Sequence, residues 1–302
     1  MTTQPVFRID SSKPLRAEMT RILDETGGRV VGHLEDSNGD HGRSLHEARK
    51  GIKKLRALLL LARAADKPLM KEEGRRLRDA ARLIAGPREA TAAVETVDRF
   101  IAAFPGKVES CRLAQIRDSL DARHTRIAGQ ALDDARAEAA AMCRMALERL
   151  RGNAPFTGVA DSGILAKGFA KTLRHWSEAL ERARDRGDPD DLHELRKTVK
   201  AHGAQLGLMR DYVDASMKKR RSDVDALGEL LGEINDIHVM RAGLADGSYG
   251  LPPEIDTKPF DRLLKKHART LSKIGLQEAG RLLASAPEKP GKRLRRRLSR
   301  AA

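Results

Sequence analysis

At 302 residues the chain can bury one large core or two ordinary ones, so its size calls for no covalent staple. Its two cysteines, Cys111 and Cys143, lie far apart without metal-ligand spacing, which argues against a disulfide framework and fits a reducing compartment. A net charge of +15 with only 3% aromatic residues points to a polyanion held by its phosphates rather than to bases read by stacking.

The elements, taken in chain order, are helices almost throughout. Residues 1–12 read as a loose lead-in, without the charged start and apolar run of an export signal. From Lys13 to about Glu35, Leu15, Met19, Ile22, Leu23, Val30 and Leu34 recur at helical spacing. The polar stretch 36–42 breaks that helix. Ser44, with Glu47 three residues on, has the pattern of a capping box for a second helix, Leu45 to about Ala65, which Asp66-Lys67-Pro68 ends. A third helix runs from about Leu69 to Ala85 and stops at Gly86-Pro87, and a fourth from Arg88 to Phe104. Between Lys107 and Arg151 there is no proline and only Gly129, so one very long helix or a pair joined by a tight bend is expected. Gly152-Asn153-Ala154-Pro155 closes the first half.

The second half repeats the plan, with helices expected at about Ile164–Arg186, Leu192–Val213, Met217–Glu233, Asp236–Ala245 and Glu254–Ala284. No segment alternates as strands do, so the fold class is all-α, and short connections make consecutive helices antiparallel neighbours in bundles. The expected organisation is a first helical-bundle half at 13–151, a second at 162–285 and a basic disordered tail at 286–302. That tail carries seven basic residues between Lys289 and Arg300 against Glu288, which leaves most of the excess charge in the body. No apolar run approaches the roughly 18 residues of a membrane span, so a soluble, cytoplasmic protein is expected.

The two halves are linked by a repeat. His46-Glu47-Ala48-Arg49-Lys50-Gly51-Ile52-Lys53 returns as His193-Glu194-Leu195-Arg196-Lys197-Thr198-Val199-Lys200, 147 residues later, with five of the eight residues identical. The same offset takes Leu61 to Leu208, Arg63 to Arg210, Leu83 to Leu230 and Ile84 to Leu231 without a gap, and Arg88-Glu89 to Asn235-Asp236. On a helix, at roughly 100° per residue, His46, Arg49, Lys50, Lys53 and Arg56 share an arc of roughly 120°. Ala48, Ile52, Leu55, Leu59 and Ala62 occupy the opposite side. Glu47 falls outside the basic arc, so the stripe reads as unpaired cations whose mutual repulsion an anion would relieve. In the second copy His193, Arg196, Lys197 and Lys200 keep the stripe, while Gly203 and Gly207 stand where Arg56 and Leu60 were. Two glycines on one helical face imply a close approach, by a ligand or by a facing helix.

A duplicated His-x-x-Arg-x-x-x-Lys/Arg helix, with an Arg-Asp-like pair after a Leu-rich third helix, resembles the CHAD family, the conserved histidine α-helical domain. The resemblance spans roughly residues 13–285 and rests on His46, Arg49, Lys53, Lys54 and Arg56, then His193, Arg196 and Lys200. It departs at Arg88-Glu89, where the family often has Arg-Asp, and at Gly203, where a further large residue is usual. It implies two four-helix-type bundles related by a pseudo-twofold axis, with a basic cleft that binds inorganic polyphosphate without chemistry of its own. It also makes polyphosphate granules a candidate address. Some relatives carry an adjoining triphosphate-tunnel domain marked by Glu-x-Glu-x-Lys; no Glu-x-Glu occurs here.

The residue types suit such a ligand. A phosphate chain offers regularly spaced anionic oxygens and nothing apolar, so it is held by rows of charge-assisted hydrogen bonds. Arg49 and Arg196 can each grip two oxygens, while Lys50, Lys53, Lys197 and Lys200 act as point charges. The register-matched Arg63 and Arg210 complete the candidate set. His46 and His193 donate best when protonated, so binding should strengthen mildly as pH falls toward about 6. The alternative is a nucleic-acid-associated protein using the same cations on phosphate backbones. No Gly-rich phosphate loop, no carboxylate pair for Mg²⁺ and no His-Glu-x-x-His stand out, so no catalytic residue, metal or cofactor is assigned. Oligomeric state is left open.

Overall fold

The computed structural model describes residues 7–36, 41–126, 130–153, 156, 162–211 and 215–286. Ten α-helices and a single 3₁₀ turn at Pro105–Lys107 account for the regular structure, with no strand among the described residues. The helices are α1 (Leu15–Glu35), α2 (His41–Leu61), α3 (Lys67–Leu83), α4 (Gly86–Ala103), α5 (Leu113–Arg126), α6 (Gln130–Gly152), α7 (Ser162–Arg186), α8 (Pro189–Leu208), α9 (Ala215–Ala245) and α10 (Lys258–Ala284). The two copies of the repeated sequence lie in α2 and α8.

Each half closes a ring of four helices. α1 packs on α2 and α6, and α3 packs on the same two; α7 packs on α8 and α10, and α9 packs on the same two. The rings touch where α2 lies against α7 and α8. One apolar core runs through both, from Met19 and Ile22 of α1 and Ile52, Leu55 and Leu58 of α2 to Phe169 and Trp176 of α7 and Leu195 and Val199 of α8. The hydrophobic side of α2 inferred from periodicity is this buried side. A second core gathers Val97 and Phe100 of α4, Leu113, Ile116 and Leu120 of α5, Ile237 and Met240 of α9 and Phe260 and Leu264 of α10. Cys111 and Cys143 are both buried as small apolar residues, and burial pushes the Cys143 thiol up to about 12.

Several boundaries move for physical reasons. Residues expected to form two helices at 217–245 form the single helix α9, because Ile234 belongs to the first core and Ile237 to the second. Asn235-Asp236 carries no proline, and a break there would unseat both contacts. The first half does break at Gly86-Pro87, with the proline in the first turn of α4. The 107–151 stretch divides into α5 and α6, which serve different cores: α5 packs on α4, and α6 on α1 and α3. Gly129, at their junction, lies outside the described residues. Asp66 begins a helix rather than ending one, since its side chain accepts from the Leu69 amide at 3.0 Å and caps α3. Ser44 is not a cap: it sits inside α2 and donates to Asp36 Oδ2 at 3.1 Å.

The lead-in is also not loose where it is described. Ile9 is fully buried, its amide donating to the Leu208 carbonyl at the end of α8 at 2.8 Å. The Asp10 amide donates to Glu18 Oε2 of α1 at 2.8 Å, and Arg21 Nη2 donates to the Arg8 carbonyl at 2.8 Å. This segment straps the first helix of one ring to the second helix of the other. The basic tail from residue 287 onward lies outside the described residues.

Candidate functional site

The basic stripe of α2 divides between several neighbours. His46, Lys50 and Lys53 are exposed. Lys50 pairs with Glu47 of its own helix at 3.2 Å, and Lys197 of α8 pairs with Glu194 in the same way. The expectation of unpaired cations is therefore corrected for these two lysines: side chains three apart on a helix reach one another even when one stands outside the arc. Arg49 is half-buried and donates to the Ala81 carbonyl at 2.9 Å, in the last turn of α3, where helix carbonyls lack partners within the helix. Arg56 also turns to α3. Burial holds its guanidinium below the usual arginine range, and the charges of Arg78 and Arg82 add to the effect against Asp79.

The charge of Lys53 reaches Glu229 on α9. The Glu229 carboxylate receives Lys200 Nζ of α8 at 2.6 Å. That hydrogen bond, foremost, holds the Glu229 carboxyl below its ordinary value, and the charges of Lys200, Arg196 and Lys53 hold it lower still. One carboxylate is thus paired with a cation of the second repeat and lies in the field of a cation of the first. Gly228 and Gly232 make the space. A Cβ on Gly228 would lie 2.9 Å from Lys200 Cδ, and one on Gly232 would lie 3.4 Å from Arg196 Nε, so the two long side chains lie across bare backbone. His193 Nδ1 lies 2.5 Å from Oδ1 of Asn235, one turn further along α9. The close approach inferred at Gly203 and Gly207 is made by the facing helix: their Cβ positions meet Asp225 Oδ1 at 2.8 Å and the Arg221 guanidinium at 3.3 Å.

Lys54, Arg63 and Arg210 also stand away from Glu229. Lys54 stands over the Phe7 ring at 5.4 Å, in a shallow groove between α1 and α2, where burial first and then Lys50 and Arg29 lower its pKa. Arg63 follows α2 and faces α7, where its charge acts on Lys171 and His175. Arg210 follows α8 and lies 3.8 Å from Asp211, which Arg8 also approaches at 3.5 Å. Sequence reasoning missed Arg78 and Arg82 of α3, which flank Arg56 and share Asp79 at 3.0 and 3.3 Å. It also missed Glu229 and Asp225. The 147-residue register carried the signal, because it takes Arg78 to Asp225 and Arg82 to Glu229, a reversal of charge at two matched positions.

Among the described residues no group of His, Cys, Asp or Glu side chains could hold a metal ion, and no helix is long and apolar enough to cross a membrane. No curated protein matches the sequence. The fold is similar to the crystal structure of the CHAD domain from the plant Ricinus communis, at 15% sequence identity, with a TM-score of 0.55 over 94% of this chain and 96% of that one. The CHAD domain family model matches residues 21–245, from within α1 to the end of α9. With the duplicated basic helices inside that span and the fold shared over 94% of the chain, the chain belongs to the CHAD domain family.

Proposed function

We propose that the protein binds inorganic polyphosphate in a basic cleft between α2 and α8 and performs no chemistry on it. The observation that carries this reading is that one carboxylate, Glu229, pairs with Lys200 of the second repeat at 2.6 Å while lying in the field of Arg196 and of Lys53 from the first. Two stripes on opposite outer faces would not share a counter-ion. A linear phosphate chain can run from the α3 side, where Arg49, Arg56, Arg78 and Arg82 gather, past Lys53 to Lys200 and Lys197. Such a ligand uses guanidinium forks and ammonium charges without stacking platforms, and the one tryptophan, Trp176, is fully buried in the core. The reading places the protein in the cytoplasm, at polyphosphate granules where these form.

The test is a competition titration of long-chain polyphosphate against single- and double-stranded DNA at fixed salt, repeated across a salt series. Polyphosphate should win, and its affinity should fall steeply with salt because binding releases condensed counter-ions. Equal competition by DNA would favour a nucleic-acid-associated protein instead. Incubation with polyphosphate or triphosphate and Mg²⁺ should release no phosphate above background; saturable release would make the protein an enzyme.

A further inference from the structure

We infer that Glu229 is a specificity-determining residue: a built-in competitor that occupies the anion position between the two stripes and makes the cleft favour long phosphate chains over short ones. The inference rests on the polyphosphate reading and deepens it.

The geometry is that of a carboxylate standing in for a ligand. Glu229 projects from α9 with its side chain 81% exposed, yet its oxygen takes the Lys200 ammonium at 2.6 Å. Nothing in the fold requires this pair, since neither partner is buried and the helices already pack through Leu227, Leu231 and Ile234. The flanking Gly228 and Gly232 let Lys200 and Arg196 lie low against α9, which brings their charged ends to the level of the carboxylate. The first half has no counterpart, because the matched position on α3 is Arg82. In the first half the carboxylate near the arginines, Asp79, pairs with Arg78 and Arg82 of its own helix; only in the second half does a carboxylate from the facing helix take a cation of the stripe.

An incoming phosphate must displace Glu229 from Lys200 or leave Lys200 unused. Triphosphate, seated where the repeats converge, has few other cations to engage and bears the whole displacement cost. A long chain also engages the Arg49, Arg56 and Arg82 end, and it can keep binding while the Lys200–Glu229 pair stays closed. Removing the carboxylate should therefore help the short anion more.

The experiment titrates wild-type protein, Glu229→Gln and a control, Glu109→Gln, with tripolyphosphate and with long-chain polyphosphate. Glu109 is an exposed carboxylate in the turn before α5, so the control makes the same change in net charge away from α9. Glu229→Gln should raise tripolyphosphate affinity by about fivefold and long-chain affinity by less than about twofold, while Glu109→Gln changes neither by more than that smaller amount. Equal gains for both ligands, a gain matched by the control, or a loss of affinity on Glu229→Gln would each overturn the inference while leaving polyphosphate binding intact. Wild-type protein that binds neither anion would instead remove the proposed function, and this inference with it.

Discussion

His202 shows what a fully buried ionisable side chain does to a fold. Its ring lies against Phe169 and Trp176, with centroids at 4.9 and 5.5 Å, and Nε2 accepts from Arg220 Nε at 3.4 Å. Burial first, and the Arg220 charge second, push its pKa from 6.5 down to about 3. The unfolded chain takes up this proton near the ordinary value, and the native protein does not until much lower pH. Between those limits the unfolded state binds more protons, so stability falls as pH drops through the window. His202→Gln keeps an acceptor for Arg220 but cannot be protonated, so its melting temperature should decline less than that of wild type between about pH 7 and about pH 4. Parallel declines in circular-dichroism melts would remove His202 as the cause. Arg49 illustrates a second residue-scale point, since it serves both the stripe and a carbonyl in the last turn of α3. Arg49→Ala should lower stability by about 1 kcal/mol in a denaturant titration, and exposed Lys53→Ala by much less. If the two cost the same, the Ala81 contact has no energetic weight.

At the scale of elements, the crossing of α7 over the end of α2 brings backbone against backbone between the rings. A Cβ on Gly168 would stand 2.0 Å from the Leu61 carbonyl oxygen and 2.7 Å from its carbon, which are backbone atoms that no rotamer can move. Gly168→Ala should cost about 2 kcal/mol or more, read from the urea midpoint, because the helices must separate. Gly228→Ala makes a useful contrast. Its Cβ meets only the flexible end of Lys200, so stability should hold or rise by up to about 1 kcal/mol from helix propensity. Affinity for tripolyphosphate should fall severalfold as Lys200 is reseated. A stable Gly168→Ala, or a Gly228→Ala that destabilises without touching binding, would contradict the packing described.

At the scale of the whole molecule, α2 belongs to one ring and packs on α7 and α8 of the other, and the 7–12 segment straps α1 to α8. The two stripes are therefore held in one body, and a chain bound to one finds the other at high effective concentration. Lys50→Ala with Lys53→Ala should lose most long-chain affinity, and so should Arg196→Ala with Lys197→Ala. All four together should lose less free energy than the sum, because either pair already breaks the bridge. Tripolyphosphate should show little of this non-additivity. Strict additivity for long chains, measured by titration calorimetry, would describe two independent basic surfaces.

Helical periodicity, proline and glycine positions and the absence of alternating segments were enough to establish an all-α chain, the buried face of α2 and the register of the repeat. These are local properties, because a helix converts spacing along the chain into a face without reference to anything else. What each face meets is a different matter. That Arg49 and Arg56 turn to α3, that Lys54 goes to Phe7 and Arg63 to α7, and that Glu229 pairs with Lys200 in the field of Lys53 all depend on helices far apart in sequence. The same holds for α9, which reads locally as two helices and stays whole because its middle is buried in two cores at once. Charge at a position was legible in the sequence; its counter-ion was not, because the distance between charges is set by packing, and Coulomb energy depends on that distance.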